Sequence, residues 1–470
     1  MSQGPKKFGA QPAQSHRYIP NTSADRAQIL EACGVSALDE LISSGIPEDI
    51  RYRKRLLDGR PSWSEFEIER AIKDLFSGSR SAAGGVSFLG SGSYDRFCPS
   101  HVSQLTLRGE FLTAYTPYQP EYAQGTLQAL FEFQSMVAEI FGMDVATASH
   151  YDGATALAEA VLLAKRVNKA GDVVFISEGV HPEYREVCET YLAAQGIRIE
   201  RLQVGPDGAT RLKLGQAPSE TPLAIVLQSP NLFGVVEDLK ALSDAAKSSG
   251  ALSIVSVTDP LAMGLYEAPG AYGVDIVTGE GQGFGLPQSF GGPYLGLFCA
   301  RKEFVRQLPG RLCGETTDAS GKRSFTLTLS TREQHIRRDK ATSNICTNQN
   351  LCALWATIWL ASFGKEGFRQ VARHNAAKAA YLRKALGAST ACTVRHGDAP
   401  IFNEFTVDLN RGSAADFFAF SAERGIAPGV PLSKWRPSDP AGLVIAVTEK
   451  RTKDEMDRLV TLFSEWEARR

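Results

Sequence analysis

The stretch Val255–Arg301, VSVTDPLAMGLYEAPGAYGVDIVTGEGQGFGLPQSFGGPYLGLFCAR, sets the frame for the chain. It opens on an apolar strand that ends in Asp259. A second short strand, Val274 to Thr278, follows, then a glycine-rich turn and a hairpin-like segment from Ser289 to Ala300. Uninterrupted apolar strands imply burial on both faces, which is the condition of a parallel sheet. Asp259 thus stands at the carboxyl end of a buried strand, where α/β sheets bind ligands. The plainer reading is that Asp259 caps the turn before Pro260. No lysine occurs between Lys247 and Lys302, and the turn after the second strand reads Glu280-Gly281-Gln282-Gly283.

Outward from this stretch, strands and helices alternate. Strands are expected at Asp172–Ser177, Ile197–Val204, Leu223–Ser229 and Ala251–Val257, and helices at Gln124–Phe141, Ala154–Val167, Pro182–Ala194 and Val236–Ser249. Beyond Arg311 lies a bridging segment, 325–349. Helices at Gln349–Phe363 and Glu366–Leu386 come next. A strand-helix-strand-helix run follows: Phe402–Leu409, Ala414–Arg424, Leu443–Thr448 and Lys453–Ala468. Thr452 with Glu455 spells a capping box for the last helix. Upstream, residues 1 to about 21 read as a flexible arm. Ser23 suits the cap of a helix reaching Cys33, and Glu65–Phe76 has helical apolar spacing. The expected organisation is an N-terminal arm and helical segment over 1–110, a large α/β domain over 111–311, and a bridge with a smaller α+β domain over 312–470.

Composition narrows the function. The 470 residues carry a net charge of −1 without single-sign blocks, which disfavours nucleic acid and anionic membranes. No apolar run reaches the ~18 residues of a membrane span. The start lacks the apolar core of a secretory signal. Eight cysteines without a Cys-x-x-Cys pair point to free thiols in a reducing cytoplasm. Seven dispersed histidines give no metal-site spacing.

Four segments carry candidate chemistry. YTPYQPE, residues 115–121, holds Tyr115 and Tyr118 beside two prolines, as a packed turn or as aromatic surface offered to a ligand or neighbour. Asp152-Gly153-Ala154-Thr155 starts a helix, whose amides suit a phosphate or simply an ordinary cap. Asp259 is the third. The fourth is Ala341-Thr-Ser-Asn-Ile-Cys-Thr-Asn-Gln349, a polar run before a long apolar helix. Arg332, His335, Arg337, Arg338 and Lys340 precede it and read as a solvated face. The loop 77–101 is too long for a simple turn and suits the lining of a site or an interface. Its Gly90-x-Gly92 lacks the remainder of a dinucleotide fingerprint.

The layout of strands around Asp259 resembles the large domain of pyridoxal-phosphate enzymes of fold type I, the aspartate-aminotransferase-like transferases. In that fold an Asp holds the pyridinium nitrogen and a lysine after the next strand tethers the cofactor. More specifically, FLGSGSYDRF, TPYQPE with QGTLQALFEFQ, YDGATA, GEGQ, SFGGPYLG and REQHIRRDKATSNICTNQ together resemble the glycine cleavage system P protein, in its α, or N-terminal, half. The resemblance spans residues 50 to 470. It implies a lysine-less subunit, because the β half carries a His-Lys pair where this chain has Gln282-Gly283. It further implies that pyridoxal phosphate and catalysis reside on a homologous β subunit. The complex, a heterotetramer of two α and two β chains, would decarboxylate glycine, release CO2 and pass the aminomethyl group to the lipoyl arm of H protein. On this reading Tyr115, Tyr118, Gln119, Thr342, Ser343, Asn344 and Thr347 are contributors to a pocket shared with the partner. Loops 88–99, 115–121 and 342–349 would face that pocket. Two alternatives stand beside it. One is a self-sufficient pyridoxal-phosphate decarboxylase or lyase using Lys302 or Lys322. The other is a non-catalytic binding or regulatory protein on the same scaffold.

Overall fold

A computed structural model of the chain describes residues 20–51, 63–79, 85–113, 115–169, 171–212 and 222–469. Nearly all of the expected N-terminal arm lies outside these residues, as does part of the loop 77–101. The chain divides into two compact units, Met1–Ser79 and Arg80–Arg470. In the first, helices span Ser23–Ala32, Leu38–Gly45 and Glu65–Phe76, and none of them buries a residue. Thr22, not Ser23, caps the first helix: it accepts from the Asp25 amide while the Asp25 carboxylate bonds back to Thr22. That reciprocal pair satisfies two helix-end donors at once, which a Ser23 cap would not.

The second unit is built on a seven-stranded sheet. Its strands are β1 (Val145–Ala146), β2 (Val173–Ser177), β3 (Arg198–Leu202), β4 (Pro222–Gln228), β5 (Leu252–Val257), β6 (Ile276–Glu280) and β7 (Gly296–Ala300). Their spatial order is β1-β7-β6-β5-β4-β2-β3. The run from β6 to β3 is parallel, and β7 enters antiparallel between β1 and β6. All seven residues of β4 are buried. Ile225 and Leu227 face one apolar cluster and Ala224 and Val226 the other, so both faces of the sheet are covered. That is why the strand has no polar alternation.

Helix α1 (Gln124–Phe141) packs Leu127, Leu130, Phe133, Val137 and Phe141 on the first face. Gln134, which interrupts this stripe in sequence, is buried among them. Its amide takes both backbone groups of Cys313, at 2.9 Å each. Helix α2 (Gly153–Val167) lies on the opposite face with Leu157, Val161 and Leu163 in the second cluster. Helices α3 (Pro182–Ala193) and α4 (Leu239–Ser249) complete the α/β layers.

After β7 the chain forms an antiparallel pair, β8 (Leu312–Thr317) with β9 (Arg323–Thr328). The sequence reading gave that segment no strand. Helix α5 (Asn350–Gly387) breaks at Gly364, whose φ of +58° divides it into the two helices expected from the pattern. The final segment is a four-stranded antiparallel sheet of β10 (Cys392–Val394), β11 (Glu404–Leu409), β12 (Val430–Pro431) and β13 (Gly442–Ala446), ordered β10-β11-β13-β12. Helices α6 (Ala414–Glu423) and α7 (Lys453–Ala468) belong to this segment. Phe405, Phe417, Phe463 and Trp466 share its core. No described helix is long and apolar enough to cross a membrane.

Candidate functional site

β5 and β6 run side by side, so the residues just past their carboxyl ends meet. Asp259 follows β5 and is 1% exposed. Its carboxylate accepts the Leu261 amide at 3.2 Å and the Asn403 side-chain amide at 2.9 Å, and it is paired with the Arg96 guanidinium. The turn before Pro260 is therefore capped by Asp259 as the sequence allowed, but the capping is the smaller part of its role. Arg96 comes from FLGSGSYDRF, and its side chain is fully buried. A second carboxylate, Glu449, grips the other side of the guanidinium at 2.9 Å. Its second oxygen takes the Phe97 amide at 2.6 Å. Burial disfavours the charge on Arg96, and Asp259 and Glu449 more than offset it, so its pKa moves up. Burial pushes the Asp259 carboxyl upward, and the Arg96 guanidinium beside it works against that rise.

The same loop is tied down along its length. Ser91 donates its amide to Glu404 at 2.6 Å, and the Tyr94 hydroxyl donates to that carboxylate at 3.0 Å. Gly90 lies so close that a Cβ there would sit 2.2 Å from Glu404 Oε1, so the position has no room for a side chain. Gln282 occupies the turn after β6 and is fully buried. Its side-chain amide exchanges two hydrogen bonds of 2.9 Å with the backbone of Tyr94 and donates a third to Leu286 at 2.7 Å.

At the start of α2 the Gly153 and Thr155 amides are taken by acids of the chain itself. Asp152 accepts the Thr155 amide at 2.7 Å. Glu280 accepts the Gly153 amide at 3.0 Å, with Gln282 and Leu295 amides on its other oxygen. Burial pushes the Glu280 carboxyl up to about 8, against those amides and with the Asp152 charge adding to the rise. The plain capping alternative for Asp152 is the arrangement present.

A cavity of about 1010 Å³ opens in front of this floor, walled by Tyr184, Tyr294, Trp355 and Trp435 among others. None of the seven residues expected at a shared pocket lines it. They gather elsewhere. Tyr118 accepts from Arg311 at 2.9 Å, and Arg311 also bonds the Cys346 carbonyl and Asn348, which joins the tyrosine segment to the loop 342–348. The Ser343 hydroxyl donates to buried Glu159 at 2.7 Å. Asn344 accepts from Gln334 at 3.1 Å, and the Thr342 amide bonds the Arg332 carbonyl. The Thr347 amide reaches the Tyr151 hydroxyl at 3.4 Å. Gln119 and Tyr115 are exposed, the latter at 78%. Arg332 departs from the solvated face expected for it. It is 7% exposed, held by the Leu308 and Leu329 carbonyls, while His335, Arg337, Arg338 and Lys340 do face solvent. Lys302 and Lys322 both lie exposed, on the turn after β7 and between β8 and β9.

Arg96, Asn403, Glu404 and Glu449 were not singled out in sequence. Arg96 meets Asp259 across 163 residues, and Glu449 across 353, so no local spacing announces them. The one available signal was FLGSGSYDRF itself, an arginine inside a glycine-serine loop.

Pyridoxal phosphate does not fit this floor. Its ring nitrogen would need Asp259, which the Arg96 cation, Asn403 and the Leu261 amide already hold. Its phosphate would need the helix-start amides, of which Glu280 and Asp152 hold those of Gly153 and Thr155. Among the described residues no group of His, Cys, Asp and Glu is arranged to hold a metal ion.

Comparison with known proteins matches the family model "Glycine cleavage system P-protein" over residues 16–463. A probable glycine dehydrogenase (decarboxylating) subunit 1 from Moorella thermoacetica is 46% identical over 445 residues, covering 94% of this chain and 98% of the relative. The Rhodospirillum centenum protein of the same description is 48% identical over 449 residues, again covering 94% and 98%. A crystal structure of glycine decarboxylase (P-protein) of the glycine cleavage system, in inhibitor-bound form, superposes with a TM-score of 0.86 at 40% identity, covering 96% of this chain and 100% of that one. A Burkholderia pseudomallei sphingosine-1-phosphate lyase shares the fold at a TM-score of 0.64 and 15% identity, covering 88% and 93%.

Proposed function

Because this chain belongs to the glycine cleavage system P-protein family, we propose that it is the lysine-less subunit of a two-subunit glycine decarboxylase, active only with its homologous partner. Pyridoxal phosphate belongs, on this reading, to that partner. The complex is a heterotetramer of two chains of each kind. It takes glycine, releases CO2 and hands the aminomethyl group to the lipoyl arm of H protein in the cytoplasm. The observation that carries the reading is the pairing of Asp259 with Arg96 beside a turn that offers Gln282 instead of a lysine. A chain built to hold the cofactor alone would leave that carboxylate open.

The role left to this chain is to complete the partner's pocket. Tyr115, Tyr118, Gln119, Thr342, Ser343, Asn344 and Thr347 are the residues proposed to do so. Arg311 supports this by fixing Tyr118 against the Cys346 carbonyl, so that aromatic and polar groups from two segments are presented from one place. Tyr115 has no such tether and is the residue best placed to enter a neighbour. We further propose the division into a large domain over 111–311 and a C-terminal domain over 312–470.

The test is reconstitution. The chain is mixed with a homologous chain that carries a lysine after the corresponding strand, and glycine–bicarbonate exchange is measured for each chain and for the mixture. Exchange by the mixture alone supports the reading. Exchange by this chain alone, or by the partner alone at the rate of the mixture, defeats it.

A further inference from the structure

We propose that Arg96 and Glu280 are the residues that bar a pyridine cofactor from this chain, each by occupying the group that would otherwise hold one end of it. The inference rests on the reading that the cofactor belongs to the partner, and it explains why missing lysine chemistry is only part of the difference.

At the ring end, a pyridinium nitrogen needs a carboxylate with a free lone pair. Three donors, Arg96, Asn403 and the Leu261 amide, already hold the Asp259 carboxylate, and two of them, one the Arg96 cation, sit on the same oxygen. Arg96 cannot easily swing aside. Glu449 holds its other edge, and its guanidinium lies 5.0 Å over the Tyr94 ring. Tyr94 is in turn fixed by Gln282 and Glu404. An incoming cationic ring would meet a fixed cation, and like charges in a water-poor site repel strongly.

At the phosphate end, the first amides of a helix attract anions. Here the Gly153 amide is committed to Glu280 and the Thr155 amide to Asp152. A phosphate would have to displace the Glu280 carboxyl from the Gly153 amide and lie beside Asp152. The chain has thus supplied its own cation where the ring nitrogen would go and its own acid side chains on the amides where the phosphate would go.

The two halves of the claim separate experimentally. The full chain is titrated with pyridoxal and with pyridoxal 5'-phosphate, following quenching of tryptophan fluorescence, to which Trp355 and Trp435 in the cavity wall contribute, together with the melting temperature. The wild-type chain should bind neither. Arg96→Ala should bind pyridoxal, and bind the phosphate ester less well. Adding Glu280→Ala should reverse that order, tightening the ester by roughly tenfold, because the Gly153 amide is then open to the phosphate. Adding Asp259→Asn should abolish both. If Arg96→Ala does not fold, methylguanidinium supplied in excess should restore its cooperative melting transition, because the slot between Asp259 and Glu449 is shaped for that cation. Failure of that rescue overturns the inference. So does a folded Arg96→Ala chain that binds neither compound, while leaving the partner-held reading intact. Tight binding of the ester by the wild-type chain overturns both.

Discussion

Asp259 and Tyr115 stand at opposite extremes of the same unit. The first is 1% exposed and answered by three donors from its own chain; the second is 78% exposed. Around Asp259 the segments 90–97, 280–282, 403–404 and 449 bond one another until little is left for a ligand. Around Tyr115 and the loop 342–348, aromatic and polar surface is left facing outward. The contrast teaches where each region does its work. The closed one holds this chain together, and the open one is proposed to act on another chain. Substitutions in the first should therefore register as stability, and the substitution of exposed Tyr115 in the second as activity of the complex.

The largest effect falls on Arg96. Arg96→Ala leaves Asp259 and Glu449 buried without their cation, and breaking a buried pair in this way costs about 3–5 kcal/mol. Denaturant unfolding reads it directly. A loss under about 1 kcal/mol, the scale of exposed pairs, would erase the distinction between the two regions.

Next is pH. Glu280 has its folded pKa raised to about 8 from the ordinary value of 4.5. Between these values the folded state binds the proton that the unfolded state has lost, so stability falls as pH rises. The contribution is fully present below 4.5 and gone above about 8. Glu280→Gln should flatten the decline in melting temperature across that window. Glu404, raised to about 7 by burial, accounts for part of the remaining slope. His181, lowered to about 4 by burial, acts in the opposite sense below 6.5. An unchanged profile in the Gln variant would mean that Glu280 does not titrate there.

The smaller effects lie at the tyrosines. Tyr118→Phe removes the hydroxyl that accepts from Arg311 and should cost about 1 kcal/mol. Tyr115→Phe should leave the melting temperature where it is and lower glycine–bicarbonate exchange by the assembled complex, because a misplaced group at a reacting centre is expensive. If both variants assemble and exchange at the wild-type rate, the tyrosine segment is structural and the proposed division of labour fails for it.

The fold was legible because it rests on local patterns. The apolar runs of β4 and β5, the periodicity of Gln124–Phe141 and the Thr452–Glu455 box all lie within short windows, and each element formed within a few residues of expectation. The pair β8–β9 was not, since its burial pattern runs from buried Leu312 to exposed Thr317 and has no clean alternation. Asp259, Gln282 and the lysine-free turn were legible as chemistry that departs from a cofactor site. What fills that departure was not. Arg96, Asn403 and Glu449 come from three distant segments, and only tertiary packing brings the first two to the Asp259 carboxylate and Glu449 to the far side of the guanidinium. Arg332 was misplaced for a related reason: in a run of five basic residues, nothing local marks the one whose guanidinium turns inward to the carbonyls of Leu308 and Leu329.

The central claim is that the cofactor resides on the partner and not on this chain. The direct measurement is borohydride reduction of the reconstituted complex with pyridoxal phosphate, followed by peptide mass spectrometry to locate the pyridoxyl group. The account predicts that every pyridoxyl-lysine maps to the partner. A pyridoxyl adduct on this chain, at Lys302, Lys322 or any other lysine, in amount comparable to the partner's, would contradict it.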